Sequence, residues 1–290
     1  MSRYLPGPEA SMWDPEQYAL FASHRGRPFV DLLARVGAER PRLVVDLGCG
    51  DGPLTLSLTR RWPGARVVGL DSSPQMLDAA RVLDTDRRVE WVQARAEEWD
   101  PTTLGAPVDV LVTNAALQWV PGHLDLLPRW VDALADDGWF AMQVPSNFDA
   151  PSHALMREVA ARHPRAEDLL PVLHRAAAVA APTDYLGVLA SLGLDADVWQ
   201  TTYEHVLDPE GVQRSPVLEW VRGTGLRPVL DVLTDDAERA AFLDDYTAAL
   251  DAAYPRQPWG VVLGFRRTFA VGHRPPGPRE PGRRRRLGRA

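Results

Sequence analysis

A chain of 290 residues with 45% hydrophobic and 24% charged side chains has the length and composition of one large α/β domain, with room for a substantial insertion. A net charge of −7 sets it apart from general nucleic-acid binders, whose phosphate contacts need a basic surface, and no apolar run reaches the roughly 20 residues of a bilayer span. Its one cysteine, Cys49, precludes an internal disulfide, no Cys/His cluster has the spacing of a zinc site, and the absence of lysine excludes Schiff-base and pyridoxal-phosphate chemistry.

From residue 28 helix and strand patterns alternate as a doubly wound α/β sheet requires. Phe29, Leu32, Leu33 and Val36 share one face of a predicted helix over 28–36. The short apolar run 43–47, flanked by turn residues, reads as a buried parallel strand. Helical spacing follows over 53–62, a strand over 66–70, a helix over 74–82 and a strand over 89–93. A fourth strand is expected over 108–113, then a helix over 123–135 and a strand over 138–144. Residues 150–183, rich in alanine, leucine, arginine and histidine, read as a helical insertion. Beyond it the pattern gives a helix over 183–192 ended by Gly193, a strand over 196–206, helices over 215–233 and 235–254, and a last strand over 261–271.

The two ends differ from this body. The amino-terminal stretch shows no apolar core between a basic start and a cleavage site, which points to the cytoplasm. Residues 272–290 combine proline, glycine and arginine with almost no apolar side chains and read as a disordered basic tail. The expected organisation is an amino-terminal cap segment over 1–27, a main domain over 28–271 and that tail.

The strongest motif is VVDLGCGDG at 44–52, directly between a strand and a helix. Gly48, Gly50 and Gly52 allow a sharp turn and a close approach of backbone to ligand. Their spacing is GxGxG, not the dinucleotide fingerprint, and the missing lysine excludes a phosphate-binding P-loop. About 20 residues on, Asp71 ends the second strand where an acidic side chain accepts both ribose hydroxyls of a nucleoside; its competing role is a turn or cap, for which Ser72 and Ser73 are also available. Cys49, with no partnered histidine nearby, reads as a packed residue rather than a nucleophile.

With LDSSPQML at 70–77, this loop resembles the class I S-adenosylmethionine-dependent methyltransferases. The resemblance implies a Rossmann-like sheet, with S-adenosylmethionine as co-substrate at the carboxyl ends of the strands. It places Asp46, Gly48, Gly50, Gly52, Asp71 and Ser72 at the cofactor, Asp46 either orienting the loop or meeting the ammonium group. It also places Ala96 and Glu97 near the adenine, although Arg95 stands where many relatives carry an acid. Asn114 falls near the sulfonium or serves as a strand-end turn, and Tyr18 closes over the methionine end or packs the amino-terminal segment.

A more specific resemblance rests on MWDPEQY (12–18), RGRP (25–28), NAALQWVPGH (114–123), HALMREVA (153–160), VWQTTYEHV (198–206) and WVRGTGLRP (220–228). These are similar to the trans-aconitate 2-methyltransferases over about residues 12–271. The resemblance implies transfer of a methyl group from S-adenosylmethionine to a carboxylate of trans-aconitate, a small polycarboxylate, giving a monomethyl ester, with the helical insertion capping the acceptor site. Charge and composition argue against a nucleic-acid, membrane or metal partner, and the oligomeric state stays open. Arginine forks grip carboxylates, so the acceptor is expected to be positioned by Arg25, Arg27 and Arg227, with Tyr203, His205, Gln118 and Trp119 beside them and no catalytic base. His24, His123 and His205 read first as structural histidines. Two alternatives remain: another small acid or biosynthetic intermediate as acceptor, or a protein that binds S-adenosylmethionine without turnover.

Overall fold

The computed structural model describes residues 26–175, 179–222 and 225–276. Seven strands form one sheet: β1 Leu43–Leu47, β2 Arg66–Asp71, β3 Val89–Gln93, β4 Val108–Asn114, β5 Leu134–Pro145, β6 Asp195–Leu207 and β7 Val261–His273. Their order is β3-β2-β1-β4-β5-β7-β6. The first five are parallel, and β7 lies antiparallel between β5 and β6. This is the expected Rossmann-like sheet, and its central strands are apolar runs because helices cover both faces.

On one face, Phe29 and Leu32 of α1 (Gly26–Leu33) and Leu58 of α2 (Pro53–Arg61) pack on Val44, Val67, Val110 and Val112. α3 (Pro74–Leu83) turns Leu77 and Ala80 inward. On the other face, Leu127, Trp130 and Val131 of α4 (Leu127–Asp132) and Tyr185 and Leu189 of α7 (Pro182–Ser191) cover Val45, Leu47, Val68 and Phe140. Burying each of these large side chains contributes roughly 1.5–3 kcal/mol.

A third apolar cluster joins five helices to the free ends of β6 and β7: α5 (Pro151–Arg162), α6 (Ala166–Arg175), α8 (Pro216–Arg222), α9 (Arg227–Val232) and α10 (Asp236–Ala253). Met156, Val159, Leu169, Val229, Phe242 and Tyr246 are among its buried members. The helical layer therefore draws on two stretches, the expected one after β5 and a second between β6 and β7. Among the described residues no helix is long and apolar enough to cross a membrane.

Several boundaries differ from the sequence reading. The helix expected over 123–135 is a 3-10 turn, His123–Leu126, leading into α4, and Leu134 already pairs with Val108 as the start of β5. The helix expected over 215–233 is two helices, with Leu226 N–H closing on Val221 O before Arg227 and Pro228 start the next. β7 extends to His273, so residues 272 and 273 belong to the sheet rather than to a tail, and the Arg274 guanidinium anchors the next residue by donating to the Val131 and Leu134 carbonyls. Residues 277–290 lie outside the described residues, as does nearly all of the segment over 1–27.

Candidate active site

The fully buried β1 delivers the chain into the glycine loop. Gly48, Gly50 and Gly52 have φ of 83°, 57° and 91°, which side-chain-bearing residues rarely adopt. They differ in their surroundings. A Cβ on Gly48 would fall 2.2 Å from the Ala116 Cβ, and one on Gly52 within 2.8 Å of Trp91 and Ala80, so both serve close packing. A Cβ on Gly50 would meet nothing within 4 Å, so this glycine presents bare backbone to open space.

The loop is tied to the end of β2. Gly48 and Cys49 N–H groups donate to Leu70 O, and Gly50 N–H donates to Asp71 Oδ2 at 2.9 Å. The other Asp71 oxygen accepts from Ser73 N–H at 2.9 Å, and the Ser73 hydroxyl caps α3 by accepting from Met76 N–H. Capping is thus done by Ser73, and Asp71, half-buried, keeps lone pairs with which it could accept further hydrogen bonds. Ser72 is exposed, its carbonyl accepting from Gln93.

Asp46 is buried beneath the loop and accepts a 2.6 Å bond from the Thr55 hydroxyl. Burial pushes its pKa up to about 6, the Thr55 bond opposing and the Asp71 charge adding to the rise. Burial also raises the Cys49 thiol well above its usual range, as suits a packed residue. Beyond β3, Arg129 of α4 donates to the carbonyls of Ala96 and Glu97, fixing the turn on which both stand, while the Glu97 carboxylate pairs with Arg95 at 3.1 Å.

Asn114 closes β4 in register with Gln143 of β5. Ala115 follows with φ of 53°, a strained conformation for alanine, and its carbonyl accepts from Gln118 Nε2 at 2.6 Å. Asn114 Oδ1, Gln118 Oε1, Gln143 Nε2, Ser146 Oγ and Asn147 Nδ2 are buried without a hydrogen-bond partner among the described residues. Buried polar atoms are rarely left so, and five together at and just beyond the carboxyl ends of β4 and β5 are suited to bond the atoms of a ligand. With the bare backbone at Gly50, they fit a bound nucleoside and an acceptor beside it.

Next to this edge lies a cavity of about 110 Å³ between the sheet and the helical layer. Gln118, Trp119 and Asn147 form its strand side, and His153, Met156 and Arg157 of α5 face them. Burial, reinforced by the neighbouring Arg157 charge, lowers the His153 pKa to about 4. His123 is held between Val120 O and the Tyr185 hydroxyl, and burial lowers its pKa too.

The acceptor residues expected from sequence are only partly brought together. Gln118 and Trp119 line the cavity, Trp119 being 58% exposed. Arg227 starts α9 with its side chain outward, and the cavity is lined instead by the adjacent Pro228. Arg27 is 60% exposed, pairs with Asp31 at 3.9 Å and lies over the Tyr203 ring. Tyr203 is buried under α1 with its hydroxyl donating to Asp31, and His205 stacks on it behind the cavity wall, 5.0 Å from the Trp220 ring. Arg25, His24 and Tyr18 lie outside the described residues. The sequence reading missed His153 and Arg157, although their i, i+4 spacing around Met156 places all three along one side of a helix.

Comparison with known proteins agrees with this geometry. A methyltransferase-domain family model matches residues 44–138, from β1 to the start of β5. A trans-aconitate 2-methyltransferase of Streptomyces coelicolor is 51% identical, covering 92% of this chain and 88% of its own length. The chain belongs to the trans-aconitate 2-methyltransferase family. Further trans-aconitate 2-methyltransferases, from Rhodococcus jostii and Mycobacterium tuberculosis, are 48% and 45% identical over 90% of this chain. They cover 98% and 96% of their own lengths, so the family match includes the helical layer. Among solved structures, the YcgJ protein of Bacillus subtilis is similar in fold, with a TM-score of 0.56 at 12% identity, covering 87% of this chain and 99% of its own. A Haemonchus contortus phosphoethanolamine N-methyltransferase, solved with S-adenosylmethionine, has a TM-score of 0.50 at 16% identity over 89% of this chain and 57% of its own.

Proposed function

We propose that this trans-aconitate 2-methyltransferase family member transfers a methyl group from S-adenosylmethionine to one carboxylate of trans-aconitate, giving a monomethyl ester. The observation that carries this reading is 51% identity to a trans-aconitate 2-methyltransferase over 92% of the chain, helical layer included. The site chemistry supports it. Asp71 accepts the ribose hydroxyls, the Gly50 backbone approaches the cofactor without a side chain in the way, and Asn114 faces the reacting end.

When bound, S-adenosylmethionine supplies a methyl group already activated on a positively charged sulfur. A carboxylate is ionised at neutral pH, so no proton has to be removed before its oxygen bonds to the methyl carbon. The carbon–sulfur bond breaks, its electron pair stays on sulfur, and the two opposite charges cancel. What the chain contributes is orientation and exclusion of water. The cavity suits that role, since among the described residues no carboxylate lines it to repel the acceptor, and much of its wall is apolar.

The test is to incubate the purified protein with S-adenosylmethionine and a series of mono-, di- and tricarboxylic acids and quantify ester products by mass spectrometry. The expected result is a trans-aconitate monomethyl ester formed with the highest kcat/KM of the series. Equal or faster esterification of an unrelated acid contradicts the assignment of the acceptor.

A further inference from the structure

We propose that Arg157, on the cavity side of α5, holds the carboxylates of the acceptor that are not methylated, and that this cation in an otherwise uncharged wall selects acids with two or more carboxylates. The inference rests on the functional reading above and adds a specificity-determining residue to it. Arginine is suited to the role because its planar fork grips a carboxylate by two parallel hydrogen bonds.

Three observations carry it. First, among the described residues Arg157 is the one arginine lining the cavity, and no aspartate or glutamate lines it. Second, among the described residues Arg157 forms no ion pair within 4 Å; the Asp149 carboxylate feels its charge but is itself engaged by the Arg266 guanidinium. A half-buried guanidinium that lines a cavity and is not locked in a close ion pair is suited to grip an incoming carboxylate. Third, the surrounding polar groups leave that charge intact. His153, one helical turn earlier on the same side, contacts Ser152 Oγ through Nδ1 at 3.3 Å and stays neutral, so it offers hydrogen bonds without a second charge. Gly225 makes its placement possible, since a Cβ there would stand 2.9 Å from His153 Nε2.

The opposite wall gives the acceptor its direction. Gln118 Oε1 and Asn147 Nδ2 belong to the unpaired polar atoms at the ends of β4 and β5, on the side of the glycine loop. An acid with its remote carboxylate on Arg157 directs another carboxylate toward the Asn147 amide group, which can donate to it through Nδ2, and toward the methyl donor. A monocarboxylate has no group with which to use Arg157.

The experiment compares wild type with Arg157→Ala and Arg157→Lys, using trans-aconitate and the monocarboxylate crotonate as acceptors. Losing a charge-assisted contact of this kind predicts a fall in kcat/KM for trans-aconitate of about 10- to 150-fold in Arg157→Ala, mainly through KM, with partial recovery in Arg157→Lys. Crotonate turnover and S-adenosylhomocysteine affinity should stay within about twofold, which shows that the variant folds. Equal kcat/KM for trans-aconitate in wild type and Arg157→Ala overturns the proposal, as does a proportional loss on both acceptors. If wild type forms no ester from trans-aconitate, the functional reading fails separately. Calorimetric binding of trans-aconitate to the S-adenosylhomocysteine-loaded proteins then decides: binding lost in Arg157→Ala supports the subsite, and binding that is absent in wild type or unchanged in the variant overturns it.

Discussion

The backbone N–H of Gly50 donates to the Asp71 carboxylate at 2.9 Å, so the tip of the glycine loop and the end of β2 are held by the group expected to receive the ribose. In this proposal one carboxylate both sets the loop and receives the ligand. Asp71→Ala removes both functions and should weaken S-adenosylhomocysteine binding by about 100-fold, measured by calorimetry, because a charge-assisted acceptor is lost and the loop is released. Asp71→Asn should lose less. Unchanged affinity in the alanine variant would place the ribose elsewhere.

Glycine substitutions separate packing from ligand approach. Gly48→Ala should destabilise the free protein, since its methyl group would lie 2.2 Å from the Ala116 Cβ in a strained backbone conformation. Gly50→Ala bears only the conformational strain, about 1–2 kcal/mol, because its methyl group enters open space. Thermal melts should show the larger loss for Gly48→Ala, and cofactor titration should show impaired binding for Gly50→Ala despite its folded state.

Asp46 gives the free protein a pH dependence of known sign. Its pKa in the folded state, about 6, lies above the ordinary carboxylate value, so the stability tied to its neutral form is present at low pH and lost as pH rises through about 6. Asp46→Asn should therefore raise Tm at pH 7.5 relative to wild type more than at pH 5, by about 2–4 °C for each kcal/mol relieved. Identical increments at both pH values would mean that the buried carboxylate carries no such cost.

His153 acts in the opposite direction. Its pKa of about 4 is below that of an exposed imidazole, so the unfolded chain binds the proton more readily and stability falls as pH drops from about 6.5 to about 4. His153→Gln should flatten this acid limb in denaturant titrations between pH 6.5 and 4.5. A residual slope of the same sign is expected from His123, whose pKa is also lowered by burial. An unaltered slope in His153→Gln would show that this imidazole already titrates freely in the folded protein.

The parallel half of the fold was legible because buried strands such as Leu43–Leu47 are short apolar runs bounded by turn residues, and because glycines 48, 50 and 52 have few other reasons to stand at that spacing. The loop's division of labour was not legible. That Gly48 and Gly52 pack while Gly50 faces open space depends on Ala116, Trp91 and Ala80, which come from other elements. The acceptor cavity was harder still. Arg227 stood beside Gly225 in the sequence and drew attention as a carboxylate ligand, yet the helix that begins there turns Pro228 to the cavity. Arg157 belonged to an ordinary helical stretch, and only the packing of α5 with α6 and α10 shows which of its sides is left to meet the cavity. The two-part origin of the helical layer was hidden for the same reason, since helices before β6 and helices after it join one core only through long-range contacts such as the Tyr246 hydroxyl donating to Ser152 O.

The most direct test of the account is to follow the methyl group itself. The protein is mixed with trans-aconitate and S-adenosylmethionine carrying a ¹³C-labelled methyl group, and the product is examined by NMR. The account predicts a single labelled methyl ester, with one carboxyl group of the acid esterified and S-adenosylhomocysteine released in equal amount. Label on a carbon of the acid, or no transfer to trans-aconitate by protein that binds the cofactor, would contradict it.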